Sequence, residues 1–109
     1  MFKRSSGVRE VGEEEARRKL ATGETVVLGV RQPCEWRGGH IAEALHVPLD
    51  ELGTRVAEIP RAREVLAICR SGNRSQTAAE ALGREGFERL ASVAGGMKDW
   101  EARGYPVER

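Results

Sequence analysis

Apolar positions change period repeatedly along this chain, and the changes mark out strands alternating with helices. Val8 to Val11 predicts a short first strand. Glu13 to Ala21 predicts a helix, with acids in its first turn and Arg17, Arg18 and Lys19 near its end, the order that suits the helix dipole. Gly23 is placed to stop it. Thr25 to Val30 is rich in β-branched residues and predicts a strand. Arg31 to Ile41 is polar and broken by Pro33, Gly38 and Gly39, which predicts a loop that includes one helical turn. Ala44 to Val47 predicts a short strand closed by Pro48. Leu49, Leu52, Val56 and Ile59 recur at helical spacing, so one helix is expected from Leu49 to Ile59, stopped by Pro60.

Val65 to Ile68 is a continuous apolar run, as expected of a strand covered on both faces. Ser75 to Arg84 predicts a helix with Ala78, Ala79 and Leu82 inward, and Gly86-Phe87 resembles a C-terminal cap with its hydrophobic contact. Leu90 to Val93 predicts the last strand, Gly95-Gly96 a turn, and Met97 to Arg103 a short final helix. Alternation of this kind predicts an α/β fold with a mainly parallel sheet. No repeat, linker or low-complexity tract interrupts it, so the expectation over 1–109 is a single domain.

Composition narrows the class of protein. The formal net charge of +1 gives no push toward nucleic acid or a membrane surface. No apolar stretch approaches the ~20 residues that span a bilayer. Met1 to Gly7 has basic residues without an apolar segment after them, so no signal peptide is expected and the protein is expected in the cytoplasm. The two cysteines, Cys34 and Cys69, are too few for a disulfide framework and are expected as free thiols. No Cys/His group has zinc spacing, and His40 and His46 are badly spaced to share an ion on one helix face. No metal or cofactor is expected. Arginine-for-lysine bias and scarce Asn and Gln lean weakly toward a heat-adapted source, although genome base composition produces the same bias.

The candidate chemistry lies in Cys69-Arg70-Ser71-Gly72-Asn73-Arg74-Ser75, between the apolar strand and the helix that follows. Successive N–H groups in such a loop form an anion-binding nest, and the helix N-terminus adds a positive dipole end. Ser75 is placed as the helix N-cap, Gly72 permits a turn closed to other residues, and Arg70 and Arg74 add full charge. All of this favours the Cys69 thiolate, which is the nucleophile. Two chemistries fit: phosphoryl transfer through a phosphocysteine, or sulfur transfer through a persulfide. Cysteine phosphatases resemble Cys, five residues, then Arg. Here only four residues separate Cys69 from Arg74, a tighter loop that suits a single sulfur atom better than a tetrahedral oxyanion and disfavours a phosphatase or arsenate reductase.

These residues resemble the rhodanese-like (thiosulfate sulfurtransferase) family over nearly the whole chain. Cys69 to Ser75 is similar to its active-site loop. Leu28-Gly29-Val30-Arg31 with Pro33 and Glu35 is similar to its Asp-Val-Arg-x-Pro-x-Glu segment. Gly39-His40-Ile41 with Ala44 and Pro48 resembles its Gly-His-Ile motif, and Gly95-Gly96, Trp100, Gly104 and Pro106 its C-terminal pattern. The resemblance implies a three-layer fold, a central, mainly parallel five-stranded sheet flanked by helices. It implies that Cys69 carries sulfane sulfur as a persulfide cradled by Arg70, Ser71, Gly72, Asn73, Arg74 and Ser75, with Arg74 binding an anionic donor or steadying the loop. The expected partners are a small anionic sulfur donor such as thiosulfate and an acceptor that is cyanide, a thiol or a protein; no nucleic acid, no membrane, and a monomer. A persulfide carrier for a thiolation pathway and a non-catalytic binding module of the same fold are the alternatives.

Two departures from the family pattern stand out. Its Asp before Val-Arg is Gly29 here, which is expected to loosen the polar loops over the site or to shift their hydrogen bonds. Its Pro-Gly after Gly-His-Ile is Ala42-Glu43, outside the catalytic loop. Cys34 is a second thiol the family does not require, and persulfide transfer needs little acid catalysis from His40. Arg31 and Glu35 are expected as a structural ion pair, and Trp36 and Trp100 as packing residues.

Overall fold

The computed structural model describes residues 8–109; Met1 to Gly7, considered above for a signal segment, lie outside the described residues. The strands are β1 (Arg9–Val11), β2 (Thr25–Gly29), β3 (Leu45–His46), β4 (Glu64–Ile68) and β5 (Leu90–Val93). The α-helices are α1 (Glu13–Thr22), α2 (Pro33–Arg37), α3 (Leu52–Arg55), α4 (Asn73–Arg84) and α5 (Gly96–Ala102). The strands form one sheet in the order β1-β5-β4-β2-β3, and every pairing in it is parallel. No helix among the described residues is long and apolar enough to cross a membrane.

The central strand β4 is buried at every residue because both its faces are covered. Its alternation divides the core. Val65, Ala67 and Cys69 join Leu28, Val30, Ala78 and Leu82 on the α3/α4 side, whereas Leu66 and Ile68 join Val27, Val93, Met97 and Trp100 on the α1/α5 side. From β2 the chain passes outward to β3, and from β4 it passes the other way to β5. The crevice beyond the carboxyl ends of β4 and β2 is therefore the topological switch point, where open parallel sheets bind ligands. Cys69 follows β4 there, and α2 follows β2.

Two local expectations need correction. Leu49 to Ile59 is not one helix: a 3-10 turn (Leu49–Glu51), α3 and a second 3-10 turn (Val56–Glu58) share the apolar stripe, with Gly53 in the middle costing helix propensity. In addition, α4 begins two residues earlier than expected, at Asn73, so its N-cap is Gly72 rather than Ser75. The polar segment after β2 holds its helical turn as the short helix α2, started by Pro33 at its first position and by a reciprocal cap between Gln32 and Glu35. The end of α4 is a Schellman motif: Phe87 N–H donates to Leu82 O and Gly86 N–H to Gly83 O, with Phe87 packed in the same core cluster as Leu82.

Candidate active site

Cys69 sits on the floor of its loop, 1% exposed. Gly72 N–H donates to its sulfur at 3.0 Å, and Ser75 Oγ lies 3.6 Å away. Burial pushes the thiol up; the Ser75 hydroxyl and the amides of Ser75, Gly72 and Ser71 outweigh it, and the net direction is down. At the third position of α4, Ser75 does not cap the helix with its side chain. Its buried hydroxyl faces three groups: Cys69, Gly72 O at 3.1 Å and Ser92 Oγ at 2.7 Å. Sequence reasoning missed Ser92; the available signal was a lone hydroxyl inside the apolar run Leu90 to Val93.

Two glycines shape the cradle. Gly72 has φ +105, and a Cβ there would collide with Ala94 O. Gly96 has φ +65, and a Cβ there would meet Arg70 O and, at 2.6 Å, Cys69 O. The contact at Gly96 exists because the first amides of α5 grip the loop from behind: Met97 N–H donates to Cys69 O at 2.7 Å and Lys98 N–H to Arg70 O at 2.9 Å. With those carbonyls held on the α5 side, the loop amides are left to face the sulfur.

Glu35 pairs with Arg74 and not with Arg31 as expected. Arg74 forms a two-pronged ion pair with Glu35, Nη1–Oε1 at 2.7 Å and Nη2–Oε2 at 2.8 Å. That bond holds the Glu35 carboxyl down at about 2, helped by the Gln32 amide and by Arg31. Arg31 makes no ion pair with Glu35; its buried guanidinium donates to Gly39 O. Arg70 is exposed and makes no side-chain bond with the described residues. Asn73 opens α4 and is also exposed, as is Ser71.

Gly29 leaves no vacancy. The Trp36 ring lies so close that a Cβ on Gly29 would be 2.7 Å from it. The indole is stacked between His40 (4.0 Å) and His46 (4.3 Å), with interplanar angles of 8° and 6°. His40 Nδ1 bonds Trp36 O and His46 Nε2 bonds Arg31 O, so each imidazole is occupied in holding backbone, and the indole separates them. Ala42 and Glu43 line a cavity of about 430 Å³ between α1 and the C-terminal segment, none of whose lining residues belongs to the Cys69 loop. Cys34 is an exposed free thiol on α2. Trp100 is buried, its indole N–H donating to Pro106 O at 2.9 Å.

The Cys69 sulfur thus lies at the carboxyl end of the central strand, with the Gly72 amide and the Ser75 hydroxyl turned toward it. A family model for the rhodanese-like domain matches residues 13–103, and the chain belongs to that family. It is 37% identical over 101 residues to a sulfurtransferase of Allochromatium vinosum, covering 92% of this chain and 94% of that one. It is 33% identical to a Bacillus subtilis protein named "Putative sulfur carrier protein YrkF", covering 91% of this chain but 54% of the relative. The crystal structure of a rhodanese-related protein from Thermoplasma volcanium superposes with a TM-score of 0.85 at 32% identity, covering 92% and 97% of the two chains.

Proposed function

We propose that Cys69 is the nucleophile of a sulfurtransferase that carries sulfane sulfur as a persulfide. The observation that carries this reading is the set of donors converging on one buried sulfur, the Gly72 amide at 3.0 Å with the Ser75 hydroxyl beyond it. Donors fixed in place favour an anion on that sulfur without reorganising during the reaction. With thiosulfate, the Cys69 thiolate attacks the outer sulfur, the S–S bond breaks, and sulfite leaves with the bonding pair. The persulfide then passes its terminal sulfur to cyanide in an assay, or to a thiol or protein acceptor. Mass spectrometry of the intact protein after thiosulfate treatment tests this: a one-sulfur gain on Cys69 is expected, and no gain, or a gain that persists in Cys69→Ser, counts against it.

Carriage of persulfide between partner proteins is the second reading, favoured by the likeness to a relative whose name describes a sulfur carrier. Multiple turnover with thiosulfate and cyanide separates the two, because a dedicated carrier accepts one sulfur and turns over slowly without its partner. We place the protein in a reducing compartment, where Cys34 and Cys69 both stay free.

A further inference from the structure

Resting on the reading of Cys69 as nucleophile, we infer that Glu13 is a positioning residue for that cysteine: a proton shared between Glu13 and Asp99 holds the Gly95-Gly96 turn against the catalytic loop, and loss of the proton loosens the cradle around the sulfur. The two acids come from different elements, Glu13 from the first turn of α1 and Asp99 from α5. Both reach the same side of Gly95. The point where a Cβ on Gly95 would lie is 2.8 Å from Glu13 Oε2 and 2.7 Å from Asp99 Oδ2. Glu13 is buried, and its Oε2 has no hydrogen-bond partner among the described residues. Two bare carboxylates packed together out of water repel each other and forfeit their hydration. A proton on Glu13 Oε2 supplies what is missing: the O–H donates to Asp99, while the Gly95 amide serves the same Glu13 carboxyl. Asp99 is partly exposed and has a second partner in Arg103, Nε–Oδ2 at 3.2 Å, so burial assigns the proton to Glu13.

The turn connects this proton to the sulfur. On one side of Gly95, Met97 N–H donates to Cys69 O and Lys98 N–H to Arg70 O. On the other side, Ala94 O lies where a Cβ on Gly72 would be, and Gly72 supplies the amide 3.0 Å from the sulfur. The segment from Ala94 to Lys98 therefore braces the loop at both ends. With the proton in place, α1 and α5 are tied together across this brace. When the proton leaves to solvent, two charges face each other across Gly95. The turn relieves the repulsion by moving away from α1, and the α5 amides lose their aim on the two carbonyls. The neighbouring charges do not prevent this. Arg103 offsets the charge of Asp99 and leaves that of Glu13 uncancelled. Glu14 and Lys98 are exposed, and so is Arg17, one turn along α1, which lies over the Tyr105 ring at 4.5 Å. Water and salt screen all three.

The test is the rate at which methyl methanethiosulfonate modifies Cys69, read on the Cys69 peptide by mass so that Cys34 is counted apart. It is run on the full chain and on Glu13→Gln from pH 4 to pH 7. Glutamine keeps the shape, offers Asp99 an N–H donor at every pH and leaves an oxygen for the Gly95 amide. The variant-to-parent ratio of rates is expected near one at pH 4 and about threefold at pH 7, the effect of weakening one hydrogen bond to the thiolate. Asp99→Asn supplies the donor from the other side and is expected to give the same rise; it decides the matter where Glu13→Gln does not fold. A ratio that stays level with pH, or falls as pH rises, overturns the inference, because a Glu13 that only packs moves Tm and leaves Cys69 alone. In the parent, the Met97 and Lys98 amides are expected to lose hydrogen-exchange protection over the same interval, and constant protection overturns the inference too. Thiosulfate treatment of the same proteins separates the two readings. No sulfur gain on Cys69, with modification that still follows Glu13, overturns the sulfurtransferase reading alone; sulfur gain with modification blind to Glu13 overturns only the positioning role.

Discussion

Ser75 has one hydroxyl proton and three claimants for it: Gly72 O, Ser92 Oγ and Cys69 Sγ. With the thiol protonated, S–H donates to Ser75 and Ser75 donates to Gly72 O. Once the thiol ionises, the Ser75 O–H serves the sulfur and Ser92 donates to Ser75 in turn. Removing Ser75 leaves the anion one donor short, a loss that raises the Cys69 pKa. Because a more basic thiolate is also more nucleophilic, Ser75→Ala is expected to lower persulfide formation by only about threefold below the midpoint and to exceed the parent above it. The two pH–rate curves should cross; parallel curves would mean that Ser75 only packs. Ser92→Ala should shift the midpoint in the same direction by less. Gly96→Ala tests the grip of α5 on the loop. Alanine there must adopt φ +65 and press on two carbonyls, so a stability loss above about 2 kcal/mol is expected in urea titration. Thiol titration should show Cys69 moving up toward the ordinary thiol value as the cradle opens.

At the scale of elements, α2 is the piece that makes this member depart from its family pattern. Its Trp36 occupies the space over Gly29 that a side chain would need. Restoring the family's acid with Gly29→Asp is therefore expected to destabilise the fold by about 2–3 kcal/mol through overpacking. Adding Trp36→Ala should recover part of that loss, a coupling that a double-mutant cycle measures directly. The departure at Gly29 was legible in the sequence, and its consequence was not. Stacking of Trp36 between His40 and His46 joins residues brought together by the β2–β3 pairing, for which no local period exists. The long, strongly periodic elements were legible: β2, β4 and α4 lie within two residues of their expected bounds, and the loop at Cys69 was visible from its glycine and charges. The short elements β1, β3, β5 and α5 were legible too, each within one residue of its expected bounds; the stretch after β3 was not. Leu49 to Ile59 has a helical stripe, but Gly53 and two 3-10 turns satisfy that stripe as well. Glu35 has two arginines in reach, Arg31 four residues before it and Arg74 much later in the chain. Only the fold shows that Arg31 turns to Gly39 O and leaves Arg74 to close the pair.

Across the whole molecule, two acids give stability opposite dependences on pH. Glu35 is depressed to about 2 by Arg74. Its contribution is present above the unfolded value of about 4.3 and is lost as pH falls from there toward 2. Glu13 runs the other way. It is 2% exposed at the start of α1, and its Oε2 has no hydrogen-bond partner. Burial raises its pKa first, and the neighbouring Asp99 raises it further, against a smaller opposing contribution from the Gly95 amide. A carboxyl raised in the folded state is protonated there while the unfolded chain ionises. Stability is therefore full below the unfolded value and falls as pH rises through the folded one. By neutral pH the fold bears the cost of a buried charge beside Asp99, immediately behind the glycine turn that leads into α5. Glu13→Gln removes that charge, keeps an acceptor for the Gly95 amide and gives Asp99 a donor. It is expected to stabilise the protein at pH 7 by about 1 kcal/mol, a rise of about 4 °C in Tm. Near pH 4, where the parent carboxyl is already neutral, the gain should vanish. Calorimetry at the two pH values decides the matter: a lower Tm for the variant at pH 7 would show that the ionised Glu13 holds the turn in place, and that the acid pair is an asset rather than a burden on the fold.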